Sequence, residues 1–388
     1  MREFIPYSRQ NITQEDTEAV LEVLNSRFLT TGPKVENFEA NLASKVKASY
    51  AVATNSATSA LHIACMALNL GEGDFLWTSP ITFVASANCG LYCGASIDFV
   101  DININTGLID IEKLEKKLEI AQELNKLPKI LIPVHLSGAS CEMQKINELS
   151  NKYGFSVIED ASHALGGTYK SQPVGSCQFS DITVFSFHPV KIITTAEGGM
   201  ATTNNSELAC KMSELRSHGI TKDPKKFLID NPPPWIYEQQ LLGYNYRMND
   251  IQAALGLSQL KRLDQIVLKR NEKLEIYREL IESLPVKLLE INENVYSSVH
   301  LSVISLNNVD EKRHRMIFEN LRKNEIGVQL HYFPVHLQPF FRNLGFKEGQ
   351  FPAAEEYSKT SLSIPLFPEL KLNDQKYIVQ TLDSMLNE

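Results

Sequence analysis

The 388-residue chain has six cysteines (Cys65, Cys89, Cys93, Cys141, Cys177, Cys210) but no CxxC pair, and the Cys89/Cys93 spacing suits a helix face better than a zinc knuckle. Reduced thiols and no metal site are therefore expected. Charge of one sign is not concentrated either. A formal net charge of -8 with no long basic run leaves no electrostatic footprint for nucleic acid or for an anionic membrane surface. The opening MREFIPYSRQNIT has no apolar segment of signal-peptide length and no lipidation signal, which points to a cytoplasmic protein. The uncharged stretch 75–97 contains Pro80, Asn88 and several Ser, Thr and Gly, so it is too polar for lipid and reads as a buried strand and helix. Neither GxGxxG nor a phosphate-loop pattern occurs, which removes dinucleotide dehydrogenases and P-loop kinases.

What is present is ordinary globular composition, 43% hydrophobic and 22% charged, in a chain long enough for two cores. Short apolar runs alternate with helical patterns: YAVAT (50–54), FLWTSP (75–80), ASIDFVDI, KILIPVHL (129–136), FSVIEDAS (155–162) and SDITVFSF. Strands apolar on both faces and separated by helices predict an α/β fold with a mainly parallel central sheet, whose ligands lie at the strands' carboxyl ends. GGMATTN reads as a further strand entered through a Gly-Gly turn. Ser206 to about Ser217 reads as a helix, and 249–283 as one or two long helices. The remainder reads as strand, helix (311–324), strand (327–332), a loop rich in Pro and Phe, and a terminal helix from Asn373. The expected division is a large domain, 1–262, and a smaller C-terminal α/β domain, 263–388.

Three pieces carry chemistry. NSATSAL (55–61) runs from a strand end into a helix, where free N–H groups and the hydroxyls of Ser56 and Thr58 offer an anion cradle; taken alone, the segment reads first as an ordinary N-cap by Asn55 or Ser56. In VIEDASHALG (157–166), Glu159 and Asp160 end a buried strand and His163 follows; Asp160 either faces the crevice or caps the next segment. In SFHPVKIITTAEGGM (186–200), Lys191 follows Ser186 in a loop leaving an apolar strand. A desolvated lysine has a depressed pKa and attacks carbonyls to form a Schiff base. An anion cradle, an acid and such a lysine are together what pyridoxal 5'-phosphate requires.

With these motifs, and with RSHGI (216–220) and LLGYNYRMNDIQAALGLSQL (241–260), the chain resembles the DegT/StrS-type sugar-nucleotide aminotransferases of PLP fold type I, from LTTGPKVENFE (29–39) to the C-terminal domain. The resemblance implies that Lys191 binds the cofactor covalently and that Asp160 partners its ring nitrogen. It implies that Ser56, Ala57, Thr58 and Ser186 hold the phosphate, that Phe83 stacks on the ring, and that Asn245 reaches the phosphate of the partner subunit in a homodimer with shared active sites. His163 stands where the broad family carries glutamine against the ring oxygen. In the branch that this chain resembles most, Tyr7, Arg27, Phe28, Leu29, Thr30, Gln329, Leu330, His331 and Tyr332 fall where the nucleotide sugar is contacted.

The implied reaction takes an amino group from an amino acid, L-glutamate in the family's usual case, to C4 of a UDP-linked 4-keto-6-deoxy-N-acetylhexosamine. Its product is UDP-4-amino-4,6-dideoxy-N-acetyl-β-L-altrosamine, a precursor of pseudaminic acid. The alternatives are amination of another UDP- or dTDP-linked keto sugar and a non-catalytic PLP-binding regulator. A regulator would lack Lys191 or carry an added DNA-binding segment, and a dehydratase of the same fold would place histidine at that position.

Overall fold

A computed structural model describes residues 3–387. The runs that are apolar on both faces become the strands of one seven-stranded sheet: β1 (Tyr50–Thr54), β2 (Phe75–Thr78), β3 (Ser96–Phe99), β4 (Ile130–Ile132), β5 (Ser156–Asp160), β6 (Ile182–Ser186) and β7 (Gly199–Thr203). Their order is β1-β7-β6-β5-β4-β2-β3. β2 pairs in parallel with β3 and β4, β4 with β5, and β5 with β6, whereas β7 runs antiparallel between β1 and β6.

Side chains alternate across this sheet, which is why its strands had to be apolar throughout. Leu76, Ile130, Ile132 and Ile158 enter one core with Leu61 and Cys65 of α3 (Ala57–Ala67), Cys89 of α4 (Ala85–Tyr92) and Met212 of α7 (Ser206–Leu215). Trp77, Leu131 and Val157 point the other way, to Leu114 and Leu118 of α5 (Ile111–Glu123) and Ile146 of α6 (Met143–Tyr153). Before the sheet, α1 (Gln14–Leu24) and α2 (Pro33–Val46) pack against α8 (Asp250–Leu260). Asp250, fully buried, accepts the Gly32 and Lys34 N–H groups at 2.8 Å each and so caps α2.

A second core lies around an antiparallel sheet of β8 (Val286–Leu288), β9 (Ser302–Leu306) and β10 (Ser361–Ile364), covered by α10 (Glu311–Lys323) and α12 (Leu372–Asn387). α9 (Leu263–Leu280) joins the two: Leu263, Ile266 and Val267 sit in a core beside the large sheet, Leu274 and Tyr277 in the second core. The amino-terminal end also crosses over. Ile5 donates to Glu325 O at 2.8 Å, and Tyr7 O accepts from Leu366 N at 2.9 Å, which carries Tyr7 to the junction of the two units.

Two local expectations change. Residues 327–332 form no strand: Ile326 bridges Ile5 and Gln329 bridges Ser363, and no continuous partner lies between those bridges. The Pro- and Phe-rich loop instead contains α11 (Pro352–Thr360), directly followed by β10. Gly198 and Gly199 are not a turn either. The left-handed residue is Ala196, at φ 66°, and Gly199 already begins β7. No helix among the described residues is long and apolar enough to cross a membrane.

Candidate active site

The carboxyl ends of the parallel strands open into a cavity of about 400 Å³, a size usual for small-molecule sites. The turn after β1 contributes Ser56, Ala57 and Thr58, the turn after β2 contributes Thr82 and Phe83, β5 ends in Asp160, and β6 ends in Ser186 with Lys191 beyond it. His163 joins them, and the junction with the second unit supplies Tyr7, His331 and Tyr332. Eleven residues singled out from the sequence thus share one cavity.

Ser56 is the N-cap of α3 and accepts the Ser59 N–H at 3.1 Å, so the capping reading holds at this turn, which also lines the cavity. Strand β7 lies so close that a Cβ on Gly199 would fall 2.4 Å from Ala57 N and 2.5 Å from Ser56 C. Glycine is needed there for close approach of two backbones, not for a positive φ. The α3 amino terminus is therefore backed by the side-chain-free first residue of β7, a geometry suited to a phosphate dianion.

The two adjacent acids divide their roles by the alternation of the strand. Glu159 is turned into the protein, where its carboxylate meets His135 Nε2 at 2.7 Å, Ser180 Oγ at 2.5 Å and Thr183 Oγ1 at 2.9 Å. Burial alone would raise this carboxyl, but those contacts outweigh it and hold it below the usual range. Asp160, 5% exposed, lines the cavity, with Oδ1 accepting Ser162 N–H at 3.1 Å and Oδ2 accepting Ser86 Oγ–H at 2.6 Å. Lys191 shares the cavity; burial lowers its amine to about 8, and only the charge of Asp160 opposes that shift.

His163 has both ring nitrogens engaged within the chain: Nδ1 accepts Ser137 N–H at 3.3 Å, and Nε2 lies 3.1 Å from Tyr332 Oη. Burial, then the nearby Lys191 and His331, pushes it well below its usual range, so the ring is neutral with its proton on Nε2, donated to Tyr332. Burial likewise raises Tyr332, which stays a phenol with its own hydroxyl proton left to donate. Phe83, 59% exposed, stands at the mouth with its ring 6.4 Å from that of Tyr332.

Other singled-out residues do not reach this cavity. Arg27, Phe28, Leu29 and Thr30 are exposed; Leu29 O accepts from Asp250 N at 3.1 Å, which lays the segment on the start of α8. Asn245 is exposed, its carbonyl 3.4 Å from Asn55 Nδ2. Gln329 is exposed and Leu330 half-buried, and neither lines the cavity. Conversely, sequence reasoning missed Thr82, Ser162, His188, Glu197 and His300 in the lining. A hydroxyl pair one helical turn apart, Thr82 and Ser86 at the start of an uncharged helix, was the one available signal.

The family model for the DegT/DnrJ/EryC1/StrS aminotransferase family matches residues 10–383. The chain is 41% identical over 385 residues, 99% of its own length and 98% of the relative's, to the UDP-4-amino-4,6-dideoxy-N-acetyl-beta-L-altrosamine transaminase of Campylobacter jejuni strain 81-176. Its structure is similar to Helicobacter pylori PseC, an aminotransferase involved in the biosynthesis of pseudoaminic acid, with TM-score 0.90, 34% identity and coverage of 99% and 100% of the two chains. It is also similar to the putative sugar aminotransferase Spr1654 of Streptococcus pneumoniae, known in a PLP form (TM-score 0.89, 29% identity) and a PMP form (0.90, 30%), each covering 99% of both chains.

Proposed function

The chain belongs to the DegT/DnrJ/EryC1/StrS aminotransferase family, whose members use pyridoxal phosphate, and from that premise we propose that it aminates C4 of a UDP-linked 4-keto-6-deoxy-N-acetylhexosamine with L-glutamate as donor. The product is UDP-4-amino-4,6-dideoxy-N-acetyl-β-L-altrosamine. The observation that carries this reading is full-length similarity to a transaminase of that name, in a chain whose Lys191 and Asp160 share one cavity.

The residues present fit the cofactor. The cradle at Ser56, Ala57 and Thr58, with Ser186 beside it and Gly199 behind it, suits the phosphate; Phe83 offers an exposed ring face; and the suppressed Lys191 amine is a nucleophile near neutrality. When bound, pyridoxal phosphate supplies the electron sink that makes a Cα–H bond of the amino acid acidic. Asp160 would hold the ring nitrogen and keep its proton in place. Lys191 would hold the cofactor and, once free of it, would move the proton between the donor's Cα and C4′ and make the reverse transfer for the sugar. His163, with Tyr332 fixed on its Nε2, shapes the wall beside the ring, and Tyr7 and His331 close the sugar side of the cavity.

The residues left outside the cavity are assigned to a second copy of the chain. Asn245, Arg27, Phe28, Leu29 and Thr30 serve the neighbouring subunit's site in a homodimer, and Gln329 and Leu330 complete the sugar pocket at the junction. Exposed apolar side chains around those segments, among them Trp235 at 82% and Leu242 at 75%, support an extensive contact. Residues 1–262 act as the cofactor-binding domain and 263–388 as the smaller domain, in a cytoplasmic enzyme.

The test is a substrate panel. Equal concentrations of UDP-2-acetamido-2,6-dideoxy-β-L-arabino-hexos-4-ulose, its D-xylo epimer and a dTDP-linked 4-keto sugar are offered with glutamate, while 2-oxoglutarate release and the new amine's configuration are followed. Preference for the first in kcat/KM is expected. Preference for either other sugar moves the enzyme to a neighbouring specificity.

A further inference from the structure

We propose that Ser86 is the positioning residue for Asp160, and that Thr82 completes a one-way hydroxyl relay that fixes the plane of this carboxylate. The inference rests on the reading that Asp160 faces the ring nitrogen of bound cofactor.

The relay's direction follows from counting protons. Ser86 Oγ lies 2.6 Å from Asp160 Oδ2 and 2.7 Å from Thr82 Oγ1, with Phe83 O a more distant alternative acceptor at 3.4 Å. A hydroxyl has one proton, and a carboxylate cannot return it. The proton of Ser86 goes to Asp160, which leaves Ser86 only as an acceptor toward Thr82, so the Thr82 proton goes to Ser86. All three groups are buried, Ser86 completely. The Ser86 contact also falls in the short range of O–H···O⁻ bonds, about 2.5–2.7 Å.

Ser162 N–H holds the other oxygen, Oδ1, at 3.1 Å. Two donors on different oxygens fix the carboxylate against rotation about its Cβ–Cγ bond, and the lone pairs left over are those toward the cavity. The same turn carries Phe83 between Thr82 and Ser86, with its ring at the cavity mouth. One short segment before and within α4 therefore sets both the ring that stacks on the cofactor and the acid that meets its edge. A serine present only to fill space would not need a proton donor behind it.

The test uses holoenzyme reconstituted with pyridoxal phosphate carrying ¹⁵N in the ring. In the wild type the ring nitrogen resonates as a protonated pyridinium. In Ser86→Ala it should move toward the unprotonated value, and the half-reaction with glutamate should slow about 10- to 100-fold in kcat with little change in KM, as for loss of an outer partner of a contacting group. Ser86→Cys, with a weak S–H donor, should show a smaller displacement of both; it carries the test if the alanine variant does not fold. A purely structural serine would lower the melting temperature and leave the nitrogen signal in place, and an unmoved signal with kcat within twofold of wild type overturns the proposal. Asp160→Asn separates the two layers: if that variant also keeps the pyridinium signal, the reading of Asp160 itself fails, whatever Ser86 does.

Discussion

Lys191 and Asp160 line one cavity, the acid at the end of β5 and the lysine in the loop beyond β6, with the lysine lowered to about 8 by desolvation and the carboxylate the one charge that opposes the shift. Their relation sets a pH dependence. The neutral amine is the nucleophile, and with the value near 8 about one molecule in ten carries it at pH 7, against fewer than about one in a thousand for an unperturbed lysine near 10.4. The rate at which apoenzyme captures pyridoxal phosphate, followed by its visible absorption, should rise tenfold per pH unit below 8 and flatten above it. A rise continuing to pH 10 would show that the cavity does not desolvate Lys191.

Gly199→Ala tests the cradle. The added Cβ meets backbone of Ser56 and Ala57, atoms that cannot swing away, so overpacking should cost about 1–3 kcal/mol of stability. Displacement of the α3 terminus should weaken cofactor binding by about tenfold, equivalent to about 1.4 kcal/mol. Denaturant melts and cofactor titration measure the two effects; unchanged values for both would mean the strand and helix are not in the close contact described.

The proposed sharing of sites between two subunits makes a mixing prediction. Lys191→Ala and Asn245→Ala should each be inactive alone, yet subunit exchange between them should restore part of the activity, because each hybrid dimer contains one site with both groups intact. Exchange without recovery would place Asn245 outside the partner's site.

The sheet and the position of the cavity were legible because alternation and strand ends are local properties. Six apolar runs became strands, and Asp160 and Ser186 fell at the carboxyl ends of two of them. Contacts made by distant segments were not legible. The Ser86–Asp160 bond spans 74 residues, and nothing near either residue announces the other. The Gly-Gly pair was misjudged because sequence shows a glycine's freedom but not the neighbour that demands its missing Cβ; here that neighbour is the Ser56–Ala57 backbone. Extended residues 327–332 have the composition of a strand, but the partners for its ends, Ile5 and Ser363, come from opposite ends of the chain. Arg27 to Thr30 illustrate a further limit: a pattern can single out a segment without saying that it lies away from its own chain's cavity.

The most direct test of the central claim is a paired turnover measurement on wild type and Lys191→Ala, both purified and loaded with cofactor. Wild type given glutamate alone should release one equivalent of 2-oxoglutarate per site as the visible absorption falls, and adding the UDP-4-keto sugar should restore the absorption and yield the C4 amine. Lys191→Ala should complete neither half, because it lacks the amine assigned to move the proton between Cα and C4′. Steady turnover by the alanine variant within a few fold of wild type would contradict the assignment.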